Sequence, residues 1–96
     1  MTNIALSIDV RTTPGERDAF AARLKRHGEF CVANEPGCLS FFVMTPLDAD
    51  DRVMAFEVYA DKVALEAHDA SDHMAVYRKD TAHMVAARVR VTGPLV

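Results

Sequence analysis

The chain is short of the features that mark specialised protein classes. It has no tryptophan, two cysteines, four glycines and four prolines in 96 residues. Nothing about the two cysteines indicates a secreted disulfide scaffold, and Cys31 and Cys38 read as reduced thiols. No run approaches the ~18 apolar residues of a membrane span. The stretch from Met1 to Arg11 lacks the basic and apolar regions of a signal peptide. Together these absences point to the cytoplasm. Positive charge is also scarce, with a net charge of −3. The densest basic stretch, Arg23, Lys25 and Arg26, reads as a solvated helix face, so neither nucleic acid nor membrane is an expected partner. CxxC, HExxH and glycine-rich phosphate loops are all missing, and neither a metal nor a cofactor is expected.

What is present is ordinary globular material, 50% hydrophobic and 26% charged. Residues 1–96 read as one domain. A chain this short buries only ~60–65% of its unfolded surface, so its stability margin is thin. Association into a homodimer is the expected remedy.

Residues Asn3 to Arg11 alternate, with Ile4, Leu6, Ile8 and Val10 on one face of a half-buried strand. Thr13-Pro14-Gly15-Glu16 has the form of a capping box opening a helix that runs to about Asn34. Phe20, Leu24 and Cys31 supply its apolar stripe, and Gly28 predicts a kink or fraying near His27. Glu35-Pro36-Gly37 ends that helix. Leu39–Thr45 and Arg52–Ala60 read as a hairpin around a turn at Pro46–Asp51. Helical segments Asp61–Asp69 and Ser71–His83 follow. Val85 to Thr92 closes the pattern as a strand, with Val85, Ala87, Val89 and Val91 on one face and Arg88 and Arg90 on the other. The order β-α-β-β-α-β is that of a ferredoxin-like α+β domain: a four-stranded antiparallel sheet with helices on one face. The opposite face, carrying Leu39, Phe41 and Val43 or their alternates, is too apolar to leave in water.

Several short motifs resemble a known family. Glu35-Pro36-Gly37-Cys38 precedes an aromatic strand. Phe56-Glu57-Val58-Tyr59 is followed by Asp61, Ala64-Leu65, His68 and Ser71-Asp72-His73-Met74. This order and spacing resemble the antibiotic biosynthesis monooxygenase domain family, of the dimeric α+β barrel group. The resemblance implies sheet-to-sheet homodimers and a small-molecule substrate. It takes in cofactor-free quinol or anthrone monooxygenases, an isomerase and haem-degrading enzymes, so fold alone does not fix the activity. Haem-degrading relatives use a tryptophan, absent here, and a histidine at the position held by Arg78.

The candidate catalytic residues are His73, Tyr77, Glu57 and His68. A carboxylate facing a dry cavity acquires a raised pKa and can act as general acid or base. His68 falls at a helix C-terminus, which favours the imidazolium. His73 falls at a helix start, which favours the neutral ring, and four residues on Tyr77 shares its face. Each has a plainer structural reading: a helix cap for His68, a partly buried ring for His73, an Arg88 or Arg90 ion pair for Glu57. Tyr59, Met74, Phe42 and Met54 are the candidate substrate-binding residues, although tyrosines and methionines more often simply fill a core. His68 and His73 are five residues apart across a helix break, a poor metal spacing, and no histidine adjoins Cys31 or Cys38. The expected activity is cofactor-independent monooxygenation of a quinol- or anthrone-like reduced aromatic. The alternative is an isomerase or a binding protein for a small carbonyl or hydrophobic metabolite.

Overall fold

The computed structural model describes residues 2–96. Its elements are β1 (Ile4–Thr12), α1 (Arg17–Asn34), β2 (Cys38–Met44), β3 (Arg52–Tyr59), α2 (Lys62–Asp69), α3 (Asp72–Thr81) and β4 (Val85–Pro94), with a 3₁₀ turn, Ala82–Met84, before β4. The strands form one sheet in the order β2-β3-β1-β4, every neighbouring pair antiparallel. This is the ferredoxin-like arrangement expected from the strand and helix periods.

Strand period two divides the sheet cleanly. Leu6, Ile8, Val10, Val53, Ala55, Glu57 and Tyr59 face the helices and are buried. They meet Phe20, Leu24 and Cys31 of α1, Leu65 of α2, and Met74 and Tyr77 of α3. The other face carries the cross-strand pairs Phe42–Phe56 and Met44–Met54, with Val89 and Val91 of β4 opposite Asp9 and Ser7. Phe42 is 68% exposed and Val89 and Val91 62% each. The open apolar face is therefore built from Phe42 and Met44, while Phe41 and Val43 pack inward on the core.

Three local expectations are corrected. The capping box does not form: Glu16 is the N-cap without a side-chain bond, and Thr13 Oγ1 donates instead to the His83 carbonyl, 3.1 Å away. Thr13–Glu16 is a turn closed by Glu16 N–H on Thr13 O, which Gly15 permits with φ 79°. Helix α1 runs unbroken through Gly28. The glycine is there for space, since a Cβ would lie 2.3 Å from Phe41 Cδ1. Val85 departs from the Val89–Val91 face because the β1–β4 register shifts at Arg11/Thr12. Gly37 plays the same spatial role as Gly28, bringing the start of β2 against Ala64 of α2, where a Cβ would sit 2.4 Å from the alanine's own.

Candidate functional site

Between the sheet and the helices lies a cavity of about 180 Å³. Its walls are mostly apolar, from Leu6, Ile8, Phe20 and Met74. Into it come Glu57 from β3, His68 from α2 and Tyr77 from α3, and Arg78, Arg88 and Arg90 also line it.

Each group is placed by its element. Glu57 occupies an inward position of β3 between Ala55 and Tyr59 and is only 2% exposed. Asp61 caps α2 by accepting from Ala64 N–H at 2.8 Å, which fixes His68 in the last turn. Ser71 caps α3, accepting from Met74 N–H at 3.3 Å and donating to the His68 carbonyl at 2.7 Å. The break between the two helices is thus stitched by one hydroxyl. Met74, Tyr77 and Thr81 form the buried face of α3.

Glu57 is unusual for a buried carboxyl. Tyr59 Oη donates to its Oε1 at 2.5 Å, but Oε2 is buried without a hydrogen-bond partner among the described residues. Burial pushes this carboxyl up to about 7, against the opposing pull of the Tyr59 hydrogen bond and the Arg90 charge. The Arg90 pairing considered from sequence does not form. That guanidinium binds Asp69 bidentately, at 3.0 and 2.7 Å, and so is not paired with Glu57. Burial likewise raises the Tyr77 hydroxyl to about 12.

Beside the cavity, Glu35 gathers two rings. His68 Nδ1–H donates to its carboxylate at 2.9 and 3.1 Å, and His73 Nε2–H donates to Oε2 at 2.5 Å. Burial alone would raise the Glu35 carboxyl, and these two hydrogen bonds more than reverse it, holding it below the ordinary glutamate value. On its other edge the His68 ring brings Nε2 to 3.9 Å from Glu57 Oε1. A polar chain therefore runs Tyr59–Glu57–His68–Glu35–His73.

Of the residues singled out from sequence, Glu57, His68, Tyr77 and Met74 line the cavity, and Tyr59 meets Glu57 behind its wall. His73 does not pair with Tyr77. It packs against Phe30, ring centroids 4.9 Å apart, at the outer rim. The ring stacked on Tyr77 is His27, centroids 4.3 Å apart at 21°. Phe42 and Met54 lie on the open sheet face, remote from this cavity. Sequence reasoning missed His27, Cys31 and Glu35 as members of the cluster. Their spacing, i, i+4 and i+8, was the signal, because it aligns all three on one helical stripe. Cys31 Sγ is 3.5 Å from His27 Nε2 and 3.8 Å from His68 Nδ1, so a thiol thought to lack a histidine has two. It is still no activated nucleophile, because burial and Glu35 drive the thiol upward, away from thiolate.

No helix among the described residues is long and apolar enough to cross a membrane. No curated protein sequence matches the chain. The fold closely matches a structure from Bacteroides thetaiotaomicron provisionally named an antibiotic biosynthesis monooxygenase. That protein is 26% identical, with 99% of this chain and 91% of that one aligned at a TM-score of 0.88. Similarly named proteins from Caulobacter crescentus (22% identity, 99% and 91% coverage, TM-score 0.92) and Nitrosomonas europaea (20%, 99% and 91%, 0.90) share the fold. Residues 3–80 match the antibiotic biosynthesis monooxygenase family model, and on that match, over a sheet and helices of the same architecture, the chain belongs to this family.

Proposed function

We propose that the protein is a cofactor-independent monooxygenase acting on a small reduced aromatic of the quinol class, with Glu57 as the base. The observation that carries this reading is the Glu57 carboxyl, buried in an apolar cavity with one oxygen unpartnered. A substrate hydroxyl or acidic C–H would supply the missing hydrogen bond and then lose its proton to Oε2. A carboxyl poised near neutrality is suited to that exchange. Tyr77 stands on the same wall as a donor to the oxyanion that develops, joined by His68 Nε2 when that ring is an imidazolium, its Nδ1–H being held by Glu35. Family membership supports the monooxygenase-type role.

The reaction balances without a further reductant. Loss of a proton leaves an electron-rich carbanion or phenolate, and its ring carbon forms a C–O bond with O₂. The hydroperoxide then cleaves its O–O bond with loss of the remaining C–H proton, giving a carbonyl and water. The cavity volume, about 180 Å³, is below the ~300–1,000 Å³ of typical ligand pockets. That favours a one- or two-ring quinol over a three-ring anthrone.

Oxygen uptake with a panel of quinols tests the proposal. Glu57→Gln should lower kcat by ~10²–10⁴-fold with little change in KM. Uptake in the variant equal to that of the wild type would remove Glu57 as base. Anaerobic turnover of an enolisable carbonyl, with no oxygen response, would replace the monooxygenase with an isomerase using the same groups. We also propose that a second copy covers the open sheet face, because Phe42, Phe56, Val89 and Val91 form an exposed apolar surface that a lone subunit leaves in water.

A further inference from the structure

We propose that Cys31, Glu35, His68 and His73 form a closed four-ligand site for a divalent ion of the zinc class. One donor atom from each lies within 4.8 Å of every other. A tetrahedral centre with bonds of ~2.0–2.3 Å places its ligands ~3.3–3.8 Å apart. Two separations bracket that range already: 3.8 Å for Cys31 Sγ to His68 Nδ1 and 2.9 Å for His68 Nδ1 to Glu35 Oε2. Small side-chain movements complete the shape.

Four further observations agree. The donors come from three elements whose mutual placement is fixed, namely the last turn and C-cap of α1, the end of α2 and the start of α3. The set of one thiolate, two imidazoles and one carboxylate matches zinc, cobalt or nickel and not magnesium or calcium. Charge balances, since a thiolate and a carboxylate neutralise a dication in a site where Cys31 and His68 are buried and net charge is costly. Finally, a metal-bound histidine typically turns its other nitrogen to a carboxylate, and the far nitrogen of His68 faces Glu57 at 3.9 Å. His73, with a quarter of its side chain exposed, gives the ion its entry.

Binding releases the Cys31 thiol proton to solvent. The ring protons now held toward Glu35 move to the opposite nitrogens, or to solvent if the ring was charged, freeing Nδ1 of His68 and Nε2 of His73. In the metal-free chain Cys31 is a neutral thiol, raised by burial and by Glu35, and a bound dication inverts that preference. With four protein ligands the site has no open position. The ion would lock the three helix ends and orient His68, and it would stand outside the oxygen chemistry.

Titration of the chelator-treated full chain with cobalt(II) tests this. The expected result is one equivalent bound per chain, with intense tetrahedral ligand-field bands and a thiolate-to-cobalt charge-transfer band. Zinc(II) should bleach both and raise the melting temperature. Cys31→Ala should abolish the charge-transfer band. His73→Ala, at the most exposed of the four ligands and checked for native circular dichroism, should weaken binding by more than the ~10–100-fold lost with an outer-shell partner. Cys38→Ala and His83→Ala should bind as wild type. Absence of the thiolate band in the wild type, or undiminished binding by His73→Ala, would overturn the site.

Discussion

Two buried groups in this small core hold displaced protons of opposite kind. Burial raises Glu57 from 4.5 to about 7, while burial, aided by the nearby His68 and His73, lowers His27 from 6.5 to about 4. For Glu57 the folded state binds its proton more tightly, so the stability it contributes is full below pH 4.5 and is lost as pH rises toward 7. For His27 the unfolded state binds the proton more tightly, so its contribution is present above pH 6.5 and is lost as pH falls toward 4. At ~1.4 kcal/mol per pH unit each amounts to roughly 3 kcal/mol, and over the shared window the two oppose. Denaturant unfolding in chelator from pH 4.5 to 6.5 should resolve them. The stability of Glu57→Gln minus wild type should rise with pH, and that of His27→Gln minus wild type should fall. Parallel difference curves would contradict both assignments. Below pH 4.5 a separate loss is expected as Glu35 and Asp69, both held down by their partners, take up protons.

At the scale of elements, the regular parts were legible because their periods are. The alternation of Ile4 to Val10 gave β1 its core face, and the Ser71 and Asp61 caps stand where a polar residue precedes an apolar helix stripe. What escaped was packing between elements. Gly28 looked like a helix defect because its partner, Phe41, is thirteen residues away and across the layer. Gly28→Ala would gain up to ~1 kcal/mol of helix propensity, yet it drives a methyl into the Phe41 ring at a cost of ~1–3 kcal/mol. A net destabilisation of roughly 1–2 kcal/mol is expected by chemical denaturation, relieved by adding Phe41→Leu. A more stable single variant would show that the ring yields freely. The expected His73–Tyr77 pair failed for a related reason. Met74, Tyr77 and Thr81 define the buried face of α3, and His73 lies ~100° round the helix from Met74, turned toward α1.

For the whole molecule, the division of β2 into an inner Phe41–Val43 face and an outer Phe42–Met44 face leaves one side of the sheet unpartnered. Phe42 is exposed in the single subunit and paired only with Phe56. Phe42→Asp should therefore leave the circular dichroism spectrum intact while converting dimers to monomers in sedimentation velocity. A wild-type chain that sediments as a monomer at all concentrations would refute sheet-to-sheet pairing. The candidate site was half legible. Glu57, Tyr59, His68 and Tyr77 were readable from the strand end and the helices that follow it. Their neighbours His27, Cys31 and Glu35 lie far back in the chain and meet them only through the crossover of α1.

That meeting point also decides how the layer of helices is held together. One carboxylate, Glu35, takes hold of His68 at the end of α2 and His73 at the start of α3. The far end of α3 is held to α1 by Tyr77 packed on Phe20 and His27, with a partly exposed ion pair of Arg23 and Asp80, of a kind worth ~0–1 kcal/mol, added to it. Helix α3 is thus tied at its start by the hydrogen bonds of Ser71 and His73 and toward its far end by the burial of Tyr77 and Thr81. For a guest larger than the resting cavity, the expected adjustment is repacking at the Tyr77–Thr81 end, where no buried ion pair has to break, while the end tied by Glu35 to His68 and His73 stays in place.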